Sequence, residues 1–211
     1  MKRKDLSIDN GLPSPQKYLM KEKILRLFYM VFFLSISCNS VYAQDIDQEK
    51  QGIQEVAIRP LKNGEKVPDN FWTKKHLFYL NGDTVRKSLE EYKGTLLIID
   101  FWATWCGACR VNFPKLEGLK QKFGNEVSFI LVNPTVYKNN FDQISKAYEE
   151  FKNSGGASLE SVIFDEYFID LFPHIGIPRY IWINKKGRFI ASTGNLFVDE
   201  VTIKKVLDGK Y

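Results

Sequence analysis

Thr95-Leu96-Leu97-Ile98-Ile99-Asp100-Phe101-Trp102-Ala103-Thr104-Trp105-Cys106-Gly107-Ala108-Cys109 is the stretch whose reading decides the fold. Its first half is a short continuous apolar run, the pattern of a strand buried on both faces. After it, from about Ala108 to Lys122, Val111, Leu116, Leu119 and Phe123 recur near helical spacing. Two cysteines separated by two residues thus fall at a strand-to-helix junction, where they can form the reacting unit of thiol–disulfide exchange. Unpaired N–H groups and the helix dipole favour negative charge at a helix N-terminus, so Cys106 is expected to be the nucleophile. Cys109 lies one turn further on and faces inward, placed to resolve a mixed disulfide on Cys106.

Three other readings compete with this one. A c-type haem needs His directly after the second cysteine, and here that residue is Arg110. Zinc needs about four ligands, and the chain offers beyond this pair only Cys38, His76 and His174, scattered and without ligand spacing. A purely structural disulfide stays open. Neither a metal nor another cofactor is expected.

The chain has 211 residues, 44% apolar and 26% charged, ordinary composition for one domain with a sizeable core. Its net charge of +5 is concentrated at one end. Residues 1–43 hold seven Lys or Arg and three Asp or Glu, which leaves 23 basic and 22 acidic residues in the remainder. Without a long basic stripe there, nucleic-acid binding has little support.

From Met20 the chain reads Lys21, Lys23 and Arg26, then the apolar run Leu27 to Ile36, then Asn39-Ser40-Val41-Tyr42-Ala43. This is the pattern of a secretory signal peptide over residues 20–43, and the apolar run is well short of the roughly 20 residues of a transmembrane helix. Cleavage after Ala43 would remove Cys38 and leave the two motif cysteines alone. A lipid anchor at Cys38 is the second reading, although Ser35 stands where a lipobox prefers Leu, and an uncleaved anchor is the third. The protein is therefore expected to be exported, periplasmic or in the cell envelope, with membrane association only if Cys38 is lipidated or the leader is retained. Residues 1–19 are a polar extension or an upstream mis-start.

Residues 44–66 read as a linker or edge strand, with an alternating patch at Ile53 to Ile58, and the domain proper as 67–211. His76 to Leu80 and Thr84-Val85 around Asn81-Gly82-Asp83 form a β-hairpin. Val127 to Val132 is a second apolar strand, Phe141 to Phe151 an amphipathic helix stopped by Ser154-Gly155-Gly156, and Ser161 to Phe164 a short strand. A helical turn follows around Tyr167 to Phe172. Tyr180 to Asn184 and Arg188 to Ser192 make a second hairpin about Lys185-Lys186-Gly187, and Val198 to Leu207 a final helix. The basic Lys185, Lys186 and Arg188 are read as turn residues, and the order of elements implies an α/β sandwich around one central sheet.

Asp100-Phe101-Trp102-Ala103-Thr104-Trp105-Cys106-Gly107-Ala108-Cys109, with Pro114 downstream and Ile177-Pro178 before a strand, resembles the thioredoxin fold. The upstream hairpin, the insertion between Pro134 and Glu160 and the leader narrow the resemblance to exported TlpA/ResA-like thioredoxins, over about residues 67–208. It implies an α/β thioredoxin fold: a central mixed sheet flanked by helices, an N-terminal β-hairpin and a helical insertion between strands.

The resemblance also implies roles. Pro178 takes the cis-proline position beside the dithiol, and the backbone of Ile177 meets an extended substrate segment. Asp100 matches a buried acid whose raised pKa lets it take or relay the Cys109 proton. Relatives commonly carry Glu three residues after the second cysteine, whereas this chain has Asn112, which cannot titrate. Trp105, with Gly107 and Ala108, is expected on the exposed rim that meets substrate, and Trp102 in the core. Pro114 is expected to kink the motif helix. His174 is read as a packing or surface residue, and Arg110 as a solvated one.

Together these features imply an exported thiol–disulfide oxidoreductase that reduces disulfides of extracytoplasmic proteins. The Gly107-Ala108 pair, without the His of strongly oxidising motifs, and Ile177 before the proline both tilt toward reduction. A membrane thiol carrier would supply electrons, and apocytochrome c, as in cytochrome c maturation, or misoxidised secreted proteins would be substrates. A thiol peroxidase of related fold, and a non-catalytic partner-binding module with a permanent disulfide, remain the alternatives.

Overall fold

The computed structural model describes residues 26, 27, 29 and 30, 58–153 and 159–210. The leader over 20–43, Cys38, the 1–19 extension, residues 44–57 and the Ser154-Gly155-Gly156 helix stop lie outside the described residues. Arg26, Leu27, Tyr29 and Met30 are helical and exposed, in a unit spanning Met1–Ala57. The second unit spans Ile58–Tyr211. Among the described residues no helix is long and apolar enough to cross a membrane.

The second unit is built on seven strands: β1 (His76–Leu80), β2 (Asp83–Lys87), β3 (Leu96–Phe101), β4 (Val127–Pro134), β5 (Ser161–Asp165), β6 (Arg179–Ile183) and β7 (Phe189–Thr193). They form one mixed sheet in the order β2-β1-β5-β4-β3-β6-β7. Five helices flank it: α1 (Gly107–Arg110), α2 (Phe113–Phe123), α3 (Phe141–Asn153), α4 (Tyr167–Leu171) and α5 (Glu200–Leu207). The chain thus forms the expected α/β sheet with its N-terminal hairpin and with a helix, α3, inserted between β4 and β5.

Strand β3 occupies the middle of the sheet, parallel to β4 and antiparallel to β6, with all six residues buried. Its apolar continuity follows from having cover on both faces. Leu96 and Ile98, with Trp102 just past the strand, pack with Leu116, Ile144 and Ile203 from α2, α3 and α5. Leu97, Ile99 and Phe101 pack on the other face with Phe71, Phe168 and Leu171.

The β1–β2 connection explains why an Asn-Gly pair stands there. Leu80 pairs with Asp83, so the loop has two residues, and Asn81 and Gly82 take φ of 53° and 95°. Both positive values are what a type I′ hairpin turn requires. Residues 58–66 run along the same body: Ile58 and Leu61 pack on it, Leu61 N–H donates to Leu171 O at 2.9 Å, and Lys66 bridges Arg188.

Two expectations need correction. The single helix read from Ala108 to Lys122 is two, α1 and α2, separated at Val111-Asn112. Pro114 does not kink one helix but stands in the first turn of the second, where its missing N–H leaves no bond unmade. Val111, read as part of an apolar face, caps α1 at the break and is 75% exposed. The last helix begins at Glu200 rather than Val198, because the Asp199 carboxylate accepts from Thr202 N–H at 2.8 Å and caps it there.

The two tryptophans near the motif divide as expected. Trp102 is fully buried and its Nε1–H donates to Ser161 Oγ at 2.9 Å, whereas Trp105 is 65% exposed. Removing Trp102 empties a core site and takes one donor from Ser161 Oγ, which still donates to Val162 O. Trp102→Ala is expected to cost about 3–5 kcal/mol in urea unfolding, and Trp105→Ala less than about 1 kcal/mol.

Candidate functional site

The site forms where β3 ends. After Phe101 the backbone leaves the sheet, Cys106 N–H closes a turn on Ala103 O at 3.0 Å, and α1 starts at Gly107. Cys106 is the N-cap of that short helix, and its Sγ accepts a hydrogen bond from Cys109 N–H at 3.1 Å. Cys106 and Cys109 are joined as a disulfide, with Cα atoms 5.3 Å apart. Cys109 is fully buried and Cys106 nearly so, at 6% exposure. Because α1 is only four residues long, the local amide aimed at Cys106 Sγ, rather than a long-helix dipole, is what favours a thiolate there.

Asp100 is buried in the sheet, on the same face of β3 as Ile98 and Trp102 and opposite Tyr180 in the β3–β6 register. Neither carboxyl oxygen has a hydrogen-bond partner of good geometry. Desolvation therefore holds its pKa well above the usual carboxylate range, and the nearby Tyr180 hydroxyl opposes this only in part. Its burial thus favours the neutral form of the Asp100 carboxyl.

The remaining predicted residues fall around this pair unevenly. Gly107 and Ala108 are exposed beside the disulfide, and Trp105 projects from the turn with its Nε1–H on Tyr137 O at 3.2 Å. Ile177 and Pro178 are half-buried and joined by a cis peptide. Asn112 donates its side-chain amide to Ala108 O at 2.7 Å. Arg110 is not simply solvated: its guanidinium pairs with Glu150 of α3 across an open groove that Gly107, Val111, Pro114, Ala147 and Phe151 complete. His174 packs on Phe101 with ring centroids 4.4 Å apart.

Three residues near this end of the sheet, Asn133, Tyr137 and Asn139, escape sequence reasoning. Asn133 Nδ2 donates to Trp102 O at 3.1 Å and to Asn139 Oδ1 at 2.8 Å, and Asn139 Oδ1 also accepts from Thr104 N–H at 3.0 Å. The Tyr137 hydroxyl lies 2.7 Å from His174 Nε2, while His174 Nδ1 lies 2.8 Å from Phe172 O. A carbonyl can only accept, so Nδ1 carries the proton and Nε2 accepts from Tyr137. Burial lowers the His174 pKa, the nearby Arg179 charge adds to this and the Phe172 carbonyl opposes it, so the neutral ring is favoured. The Tyr137 phenol is pushed up to about 12, first by burial and then by Asp100. The one available signal was an Asn at the end of an otherwise apolar strand, Val127 to Val132.

A family model described as thioredoxin matches residues 77–148. The thioredoxin-like protein YneN of Bacillus subtilis is 31% identical over 101 residues, 48% of this chain and 51% of that protein. The thiol:disulfide interchange protein HelX of Rhodobacter capsulatus is 27% identical over 113 residues, 54% of this chain and 60% of that protein. The chain spans about half the length of the first of these curated relatives. Among solved structures, the thioredoxin domain of a thiol-disulfide oxidoreductase from Bacteroides vulgatus superposes with a TM-score of 0.52 at 20% identity, covering 72% of this chain and 99% of that one. That likeness shows the same fold.

The buried acid gives a signed stability prediction. An aspartate whose folded-state pKa is raised stabilises the fold only below its unfolded value near 3.9, and that contribution is lost as pH rises toward the folded value. Asp100→Asn is therefore expected to raise the melting temperature by roughly 2–8 °C at pH 7, with the gain shrinking as pH falls to about 4. A gain that stayed constant with pH would mean the carboxyl is not perturbed.

Proposed function

We propose, from the match of residues 77–148 to a thioredoxin family model and from the shared fold, that the chain is a thioredoxin-family protein, an exported thiol–disulfide oxidoreductase that reduces disulfides in extracytoplasmic proteins. The observation that carries this reading is the Cys106–Cys109 disulfide at the end of β3, with an amide on Cys106 Sγ, an unpaired acid buried in the strand and an exposed tryptophan beside it. In the reduced protein, the Cys106 thiolate attacks one sulfur of a substrate disulfide, and the other leaves as a thiolate and takes a proton from solvent. Cys109 then gives its proton to Asp100 and attacks Cys106 Sγ, which expels the second substrate thiol and closes the disulfide. A raised carboxyl pKa suits this exchange, because the acid then lies closer to the thiol it must deprotonate.

Trp105, Gly107 and Ala108 form the open rim around the reacting sulfurs, and Ile177 with Pro178 is the proposed backbone edge for an extended substrate segment. Restoring the dithiol takes two electrons, for which a membrane thiol carrier is the proposed partner. Export rests on the leader pattern, with 67–211 as the working domain and Cys38 as the lipid anchor if the leader is processed that way.

Two sets of variants test the proposal. Cys106→Ala is expected to abolish reduction of insulin disulfides by dithiothreitol, while Cys109→Ser holds a mixed disulfide on Cys106 that gel electrophoresis without reductant detects. Asp100→Asn is expected to slow resolution on the order of a hundredfold without blocking the first attack. Trp105→Ala should lower the rate on insulin while leaving reaction with a small aromatic disulfide within about twofold. Turnover of insulin by Cys106→Ala at the wild-type rate would end the proposal.

A further inference from the structure

The turn that carries the nucleophile is held from outside itself. Between Phe101 and Cys106, the Cys106 N–H bond to Ala103 O is the local tie. The Trp102 carbonyl, the Thr104 N–H and the Trp105 indole bond instead to the end of β4 and the segment after it, through Asn133 Nδ2, Asn139 Oδ1 and Tyr137 O. Asn133 is fully buried and its amide also donates to Asn139 Oδ1, so one oxygen collects two donors and ties the two segments together. That oxygen accepts from Thr104 N–H, two residues before Cys106.

From this geometry we infer that Asn139 is a positioning residue for the Cys106 thiol, through its hydrogen bond to Thr104 N–H. The inference rests on the proposed thiol chemistry of Cys106 and adds to it that the insertion between β4 and α3 sets how readily that thiol reacts. With Thr104 held, the turn keeps Cys106 Sγ over the Cys109 amide. Once Thr104 is released, the turn samples conformations in which that amide no longer reaches the sulfur, and the thiolate is both less stabilised and less often presented. Asn139 is half-buried and polar, so replacing it removes a bond without emptying the core.

The test compares wild type, Asn139→Ala and Asn139→Asp in the fully reduced state, reacting Cys106 with 5,5′-dithiobis(2-nitrobenzoate) across pH. This probe reports thiolate reactivity whatever the natural substrate is. Thr104 amide hydrogen exchange, read by NMR, reports the bond itself. Asn139→Ala is expected to lower the high-pH plateau rate roughly threefold to tenfold, the worth of one lost hydrogen bond, and to speed Thr104 exchange. Asn139→Asp keeps an acceptor oxygen, so it should return both the plateau and Thr104 protection to near wild type, even though its charge moves the midpoint of the pH profile upward. A wild-type plateau in Asn139→Ala, or no recovery in Asn139→Asp, overturns the inference. Failure of the wild type to reduce insulin, with the plateau pattern intact, would count against the proposed function and leave the positioning role standing.

Discussion

Everything at this site depends on β3 being buried on both faces in the middle of the sheet. A strand so placed must be apolar, and a carboxyl within it has no water and few partners. Asp100 stands in such a strand, with its oxygens unpaired and its pKa raised by desolvation. Retaining an isolated acid there costs stability, and a hydrogen-bonded or apolar residue would avoid the cost. Buried carboxyls of this kind are most often kept for proton transfer. The same strand ends at Phe101, directly before the Ala103–Cys106 turn, so the acid and the dithiol follow from a single element.

The proposed proton chemistry rests on Asp100 because Asn112, an amide, cannot titrate. The side chain of Asn112 is used on Ala108 O, which ties the break between α1 and α2 back to the motif helix. Tyr137 and His174 extend the polar surroundings, but as a neutral, hydrogen-bonded pair near the proline loop rather than as a charged group. Arg179, directly after Pro178, is the charge that reaches this pair, acting to lower the pKa of both Tyr137 and His174. Arg110, the obvious cation, is paired with Glu150.

What could be read from the chain follows from which interactions are local. The buried strand, the Asn81-Gly82 hairpin and the amphipathic helix from Phe141 all carry their own periodic or turn signals, and each forms within a few residues of its expected bounds. The helix after the motif was misread because spacing alone suggested one helix. Pro114 in the first turn of α2 and the exposed Val111 at the break mark where the two helices part. Asn133, Tyr137 and Asn139 were not legible, since their meaning lies in hydrogen bonds to a turn about 30 residues away in the chain, which no periodicity records. The roles assigned to Asp100, Ile177 and Pro178 came from resemblance. The surroundings of Asp100, dry and unpartnered, are the physical basis for the role proposed for it.

The central claim is that Asp100 is a neutral buried acid in the oxidised protein and exchanges its proton with Cys109 when the disulfide breaks. A carbon-13 NMR titration of the aspartate carboxyls in the oxidised and reduced states, with Asp100→Asn to assign the resonance, tests this most directly. The account predicts an Asp100 signal that stays protonated through neutral pH when oxidised and whose titration moves on reduction. An Asp100 carboxyl titrating in the ordinary range near pH 4 in both states would contradict it.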